Sequence, residues 1–337
     1  MHELHPWQRR LRPLLSPPAK SYGLAMRLRA ALYDRGLLPG HTPAAPCAGV
    51  GSIAWGARGR VMVSAWLLGW AQARGLAPAL IAPPSAMADA ELLASYRPDV
   101  PILCEADALQ ALKTAQAEHQ PGIILLHDLF ARLNIRRQAD LTLLDPLDLD
   151  KGWDRPFPSG FWRESVSALK RSAAFILSLA PEDAPVRAKL VERRLSRFER
   201  PAFTVHPRIW RLRSIPDDQT ATDLGREPYI LVSTESQQDT AAKAAKAFLG
   251  VPPRFRMLVA DGHRFSRHDL AQLSADATRM RCPHILATPE TALRLEGVPG
   301  RTLWTYDPEV VLGPCLLTGQ QFTPWWDSQW RQWGERP

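Results

Sequence analysis

Ala45-Pro46-Cys47-Ala48-Gly49-Val50-Gly51-Ser52-Ile53-Ala54-Trp55-Gly56-Ala57-Arg58-Gly59-Arg60-Val61 runs from a strand-like segment, 45–53, into a glycine-containing turn, 55–59. A helical pattern rich in Trp and Leu follows over 61–74, and a second short apolar run over 77–81. Strand, turn, helix, strand is a βαβ unit, and such a unit implies a parallel sheet with helices on its faces.

Working outward, the alternation continues. Apolar runs predict strands at 122–126, 141–144 and 173–177, with helices near 88–95, 106–118 and 161–171. After Pro201 a second series begins at 202–206, with strands near 229–233, 256–259 and 284–288 and helices at 239–248 and 266–275. The expected fold class is α/β, a parallel-sheet domain followed by a second, smaller α/β domain. The division expected is 1–40, a basic N-terminal segment; 41–200, the first domain; and 201–337, the second domain with a Trp-rich tail containing Trp325, Trp326, Trp330 and Trp333.

The 337 residues suffice for two such domains, and 45% hydrophobic residues suit a packed core rather than a disordered chain. A net charge of +8 points to an anionic partner: phosphate ligands, an acidic membrane surface or nucleic acid. No nucleic-acid-reading motif is present, so no nucleic-acid partner is expected, and a monomer is. Cys47, Cys104, Cys282 and Cys315 stand singly, without CxxC spacing, which suits a reducing cytoplasm and argues against a zinc site. No apolar run is long enough to span a bilayer, and no signal peptide is seen at the N-terminus. Residues 7–38 mix Arg9, Arg10, Lys20, Arg27 and Arg29 with Leu11, Leu14, Leu24 and Leu28, and Pro17-Pro18 is expected to split them into two short helices. Such a segment lies in a membrane interface, or packs on the next domain with its basic face in water.

Four stretches resemble the tetraacyldisaccharide 4'-kinases, the lipid A 4'-kinases of Gram-negative bacteria. The turn 50–61 is similar to V-G-N-I-x-x-G-G-T-G-K-T, a P-loop variant, with Gly51, Ile53, Gly56 and Gly59 in place but Arg60 for the Lys and Val61 for the Thr. In that loop, glycines let backbone N–H groups close on phosphate, the Lys reaches the phosphates and the Thr hydroxyl holds Mg²⁺. Residues 123–141 resemble I-I-x-L-D-D-G-F-Q-H-x-x-x-R-R-D-L-D-L, keeping Asp128, Phe130, Arg136, Arg137 and Asp140 but placing His127 at the first Asp. Residues 152–164 resemble G-N-x-x-x-x-P-A-G-x-x-R-E through Pro158, Gly160, Arg163 and Glu164. Asp261-Gly262-His263-Arg264-Phe265 resembles D-H-H-x-F/Y, and a Gly-Asp-Glu-Pro stretch of the family is reduced to 87–90, with Asp89 as a shifted remnant.

The resemblance implies a P-loop kinase that moves the ATP γ-phosphoryl group to the 4'-hydroxyl of a tetraacyldisaccharide 1-phosphate, on the cytoplasmic face of the inner membrane. By resemblance, Gly51, Gly56, Ala57, Arg58, Gly59, Arg60 and Val61 bind ATP. Asp128, Asp261 and His263 are catalytic, Asp128 also being the Mg²⁺ residue, and Arg155 and Arg163 face a lipid A precursor. The cleft is expected near Arg60, Asp128 and Asp261. The changes at Arg60, Val61, His127 and Gly262, and at Glu290, where the family's T-x-K-D-A-V-K-L has Lys, leave a second reading: a catalytically impaired homologue that binds lipid or nucleotide at a membrane surface.

Overall fold

The computed structural model describes residues 12–295 and 297–334. They fall into two compact units: Pro207–Val311 is the smaller, and the chain before and after it forms the larger.

The larger unit holds β1 (Cys47–Ser52), β2 (Pro78–Ala82), β3 (Ile102–Cys104), β4 (Ile123–His127), β5 (Ala139–Leu144), β6 (Ala174–Ser178) and the first residues of β7 (Ala202–Ile215). Their order in the sheet is β3-β2-β4-β1-β5-β6-β7, with every neighbouring pair parallel. β1, β4 and β5 are buried along their whole length, and β4 is a continuous apolar run up to His127. The helices are α1 (Arg12–Asp34), α2 (Arg60–Gln72), α3 (Met87–Tyr96), α4 (Ala108–His119), α5 (Pro146–Leu149) and α6 (Ala184–Leu195). From β1 the chain crosses by α2 to β2 on one side, and from β5 it crosses to β6 on the other. Ligands of open α/β sheets bind at such a switch point, beyond the carboxyl ends of the strands.

The smaller unit has β8 (Thr220–Ala221), antiparallel to the far end of β7, and the parallel run β10 (Phe255–Val259), β9 (Tyr229–Thr234), β11 (His284–Ala287) and β12 (Thr302–Leu312). α7 (Gln238–Leu249), α8 (Arg267–Arg279) and α9 (Pro289–Ala292) complete it. It has cores of its own, one around Ile230, Leu273 and Ile285 and another around Leu212, Tyr229 and Ala245.

Three expectations are corrected. Pro17 and Pro18 do not split the N-terminal segment: both lie inside the single helix α1. Packing holds it there, with Ala19 and Gly23 buried, the Tyr22 hydroxyl donating to the Arg163 carbonyl at 2.8 Å and Arg29 to that of Ala131 at 3.0 Å. The helix expected over 161–171 exists only as a tight 3₁₀ turn, Val166–Arg171. Trp55 donates to the Phe161 carbonyl at 3.0 Å and Arg163 to that of Ile53 at 2.6 Å, so 161–163 is drawn out against the end of β1. The Trp-rich tail, α10 (Phe322–Gly334), belongs to the larger unit, not the smaller. Trp70 of α2 meets the Trp326 and Trp330 rings edge-on at 5.8 and 5.4 Å, and its indole N–H donates to Asp327 at 2.8 Å.

Candidate active site at the carboxyl ends of β1 and β4

The turn 55–59 ends at Gly59, whose φ of 93° lies in the left-handed region and which caps α2 with no side-chain partner. A Cβ there would stand 3.0 Å from Val205 and 3.1 Å from Leu143, so both the dihedral and the space call for glycine. The first turn of α2 therefore presents uncapped N–H groups and the positive end of its dipole. Gly51 is needed for a different reason: a Cβ there would lie 2.8 Å from that of Phe130.

Arg60, the first residue of α2, bridges two carboxylates: Nη1 lies 3.1 Å from Asp128 and Nη2 3.3 Å from Asp89. Asp128 follows β4 with φ of 52°, a left-handed conformation that costs a non-glycine residue on the order of 1–3 kcal/mol. It is held by its own N–H, donating to Val50 at 2.8 Å, and by Arg163, whose Nη2 reaches its Oδ1 at 2.7 Å. The same Nη2 donates to the Ser52 carbonyl and hydroxyl at 2.8 and 2.9 Å, locking the third resemblance stretch onto the end of β1. Asp128, Arg60 and Arg163 are all nearly buried, with side chains 11%, 16% and 16% exposed.

Behind them runs a hydrogen-bonded chain. His127 is wholly buried; its Nε2 lies 2.9 Å from Asp89 Oδ2 and its Nδ1 2.9 Å from the Ser64 hydroxyl. Burial works against charge on Asp89, but the His127 hydrogen bond and the charges of His127 and Arg60 outweigh it and hold the carboxyl below the ordinary range. Asp89 was legible only as a shifted remnant; the structure makes it a full member of the cluster.

The other expected residues divide. Arg58 is committed to Asp145 at 3.0 Å, a buried carboxylate that also caps α5. Glu164 pairs with Arg171 at 2.9 Å, and Arg137 holds Asp140 at 2.9 Å and donates to the carbonyls of Leu129 and Phe130, so these residues of the stretches are framework. Arg155 lines a cavity of about 350 Å³ with Lys20, Arg27, Ser159, Ser165 and Ser167. Asp261 and His263 lie in the smaller unit: Asp261 accepts from Ser236 at 2.8 Å, and His263 lies 3.3 Å from Asp269 and packs edge-on against Phe265.

The donor set fits an anion. The Nε atoms of Arg60 and Arg163 are buried without a hydrogen-bond partner, a surplus of donors that phosphate oxygens satisfy. It does not fit a divalent cation in the way the P-loop pattern implies. Val61 brings no oxygen, His127 has both ring nitrogens engaged, and Asp128 is ion-paired with two guanidiniums. Among the described residues, no group of three or more His, Cys, Asp or Glu side chains is placed to hold a metal ion.

The comparisons with known proteins agree in one direction. The family described as Tetraacyldisaccharide-1-P 4'-kinase matches residues 11–82 and 84–316. A Tetraacyldisaccharide 4'-kinase of Nitratidesulfovibrio vulgaris is 31% identical over 342 residues, covering 96% of this chain and 95% of that protein. Its namesake in Oleidesulfovibrio alaskensis is 28% identical, with coverage of 97% and 98%. The crystal structure of the "apo" form of LpxK from Aquifex aeolicus, in complex with ATP, shares the fold with a TM-score of 0.69 at 17% identity, covering 96% of this chain and 99% of that one. With its α/β fold and its motifs in unbroken order, the chain belongs to the tetraacyldisaccharide-1-P 4'-kinase family.

Proposed function

We propose that this protein phosphorylates the 4'-hydroxyl of a tetraacyldisaccharide 1-phosphate with ATP, in lipid A biosynthesis, as a monomer at the cytoplasmic face of the inner membrane of a Gram-negative cell. The observation that carries this reading is the Arg60–Asp128–Arg163 cluster at the switch point, in a chain whose family match spans nearly its full length. Phosphoryl transfer is chiefly positioning and charge neutralisation, and this site offers both. The turn Gly56-Ala57-Arg58-Gly59 and the first turn of α2 receive the β- and γ-phosphates. Arg60 and Arg163 neutralise charge on the transferred group. Asp128 accepts the proton of the attacking hydroxyl. Asp261 and His263 retain their catalytic assignment by family resemblance. The cavity of Lys20, Arg27 and Arg155 takes the anionic end of the lipid acceptor.

The exposed apolar side chains of α1, Leu14, Leu24 and Leu28, support contact with the bilayer surface, and no described helix is long and apolar enough to cross a membrane. The impaired-homologue reading is not favoured by relatives that carry the kinase name over their full length.

The test is transfer of radiolabelled γ-phosphate to a tetraacyldisaccharide 1-phosphate acceptor. The unmodified chain should show transfer, and Asp128→Asn should lose on the order of 10²-fold or more, the scale of removing one preorganised group at a reacting centre. An Asp128→Asn protein as active as the parent would remove Asp128 from the mechanism. No transfer by the unmodified chain would remove the kinase reading.

A further inference from the structure

We propose that the guanidinium of Arg60, set against both Asp89 and Asp128, supplies the positive charge that a divalent cation supplies in P-loops of the usual sequence, so that this chain binds its nucleotide without Mg²⁺. The inference rests on the nucleotide-binding reading above and concerns how the triphosphate is held.

The first argument is geometric. Bridging two carboxylates needs two donors held apart at a fixed angle. Arg60 supplies them: Nη2 donates to Asp89 at 3.3 Å, and Nη1 is ion-paired with Asp128 at 3.1 Å. A lysine in its place would bring one compact ammonium and could not span both in the same way. Arg60 is therefore not a neutral exchange for the usual Lys, because it does what a metal ion does between paired carboxylates.

The second argument is the donor census. Mg²⁺ wants about six oxygens in near-octahedral array. Val61 contributes none. His127 stands at the position of the first paired Asp, fully buried, with Nε2 on Asp89 and Nδ1 on Ser64. Asp128 Oδ1 is shared by Arg60 and Arg163, and Asp89 Oδ2 by Arg60 and His127. Of the three departures from the P-loop and Asp-Asp patterns, Val61 and His127 each remove a metal-ligating oxygen, and Arg60 keeps the charge of the Lys while presenting it as a planar fork.

The third argument is charge. Asp89 and Asp128 carry two negative charges, and Arg60 and Arg163 match them with two positive ones. No net negative charge is left to attract a metal, and a dication would arrive beside guanidiniums. A triphosphate meets instead two buried Nε–H donors without partners and the uncapped start of α2. The missing ligand of this cluster is an anion.

Isothermal titration calorimetry of the full chain with a non-hydrolysable ATP analogue, in EDTA and in excess MgCl₂, decides the matter. The expected result is a Kd in EDTA equal to or tighter than that in MgCl₂. The double variant Arg60→Lys, Val61→Thr should reverse the preference, losing about tenfold in EDTA and recovering it in MgCl₂. Binding by the unmodified chain that is about tenfold or more tighter with Mg²⁺ overturns the proposal while leaving the nucleotide reading intact. Absence of binding in both buffers overturns that reading and this proposal with it. The comparison on the unmodified chain stands on its own if the double variant fails to fold.

Discussion

At the scale of single residues, the site is a set of charges that hold one another in unfavourable places. Asp89 shows how the cost is met. Its depressed carboxyl pKa means that its charge adds stability above the unfolded value, near 3.9, and that this contribution disappears as pH falls through the folded value. Asp89→Asn keeps an oxygen for His127 and removes only the charge. It should cost about 1 kcal/mol at neutral pH, the difference between a charged and a neutral acceptor, and the gap between variant and parent should narrow in acid, as pH falls below the ordinary carboxylate range. Urea unfolding at neutral pH and in acid measures it, and a gap unchanged in acid would remove the charge from the account. Gly59 makes a second case. Gly59→Ala meets Val205 and Leu143 from a φ of 93°, so it should lose about 1–3 kcal/mol and weaken nucleotide binding together. A variant that unfolds like the parent would show that the turn tolerates a side chain.

At the scale of elements, the strands were readable because fully buried parallel strands must be apolar throughout: Ile123-Ile124-Leu125-Leu126 allows little else. The turn was readable from its glycines between strand and helix, and Asp128 from the family resemblance of 123–141. Three features were not. Asp89, His127 and Ser64 lie 38 and 63 residues apart in pairs, and only the packing of α3 and α2 against β4 joins them. Phe161–Arg163 reads as helical by composition, but backbone pairing with 53–55 draws it straight. Pro17 and Pro18 read as a break, yet the contacts of Ala19, Tyr22 and Gly23 keep α1 continuous. That continuity shapes the membrane proposal. Leu14, Leu24 and Leu28 lie 73%, 62% and 59% exposed, and at about 100° per residue they fall on one side of α1. Full burial of a leucine is worth about 1.5–3 kcal/mol, so replacing all three with serine should lower partitioning onto anionic liposomes by tenfold or more. Because these side chains are already in water, the melting temperature should hold. Co-sedimentation equal to that of the parent would return α1 to a purely packing role.

At the scale of the whole molecule, chain order and unit membership differ. The tail returns to the larger unit after the smaller one is complete, and α10 closes over α2, whose first turn is the proposed phosphate site. The aromatic contacts are dense: Phe322 meets Trp66 at 5.1 Å and Phe203 at 5.0 Å, Trp326 meets Trp333 at 5.3 Å, and Arg74 lies 4.5 Å from the Trp70 ring centre. Phe322 and Trp326 are essentially fully buried. Losing a buried Phe or Trp costs about 3–5 kcal/mol, and a domain's whole margin is about 5–15 kcal/mol. A chain ending at Gln321 gives up Phe322, Trp325, Trp326 and Trp333 together, a loss as large as that margin. The smaller unit draws its two cores from residues within Pro207–Val311 and gives up nothing. The truncated chain should therefore lose the protease resistance of its larger unit and its nucleotide binding, while a fragment near 207–311 survives. Limited proteolysis read by mass spectrometry separates the two fates. Of the twelve tryptophans, Trp66, Trp70, Trp325, Trp326, Trp330 and Trp333 sit in this cluster, so intrinsic fluorescence of the full chain should follow the same event during unfolding. Undiminished resistance across residues 12–206 in the truncated chain would show that α10 decorates the larger unit rather than completing its core.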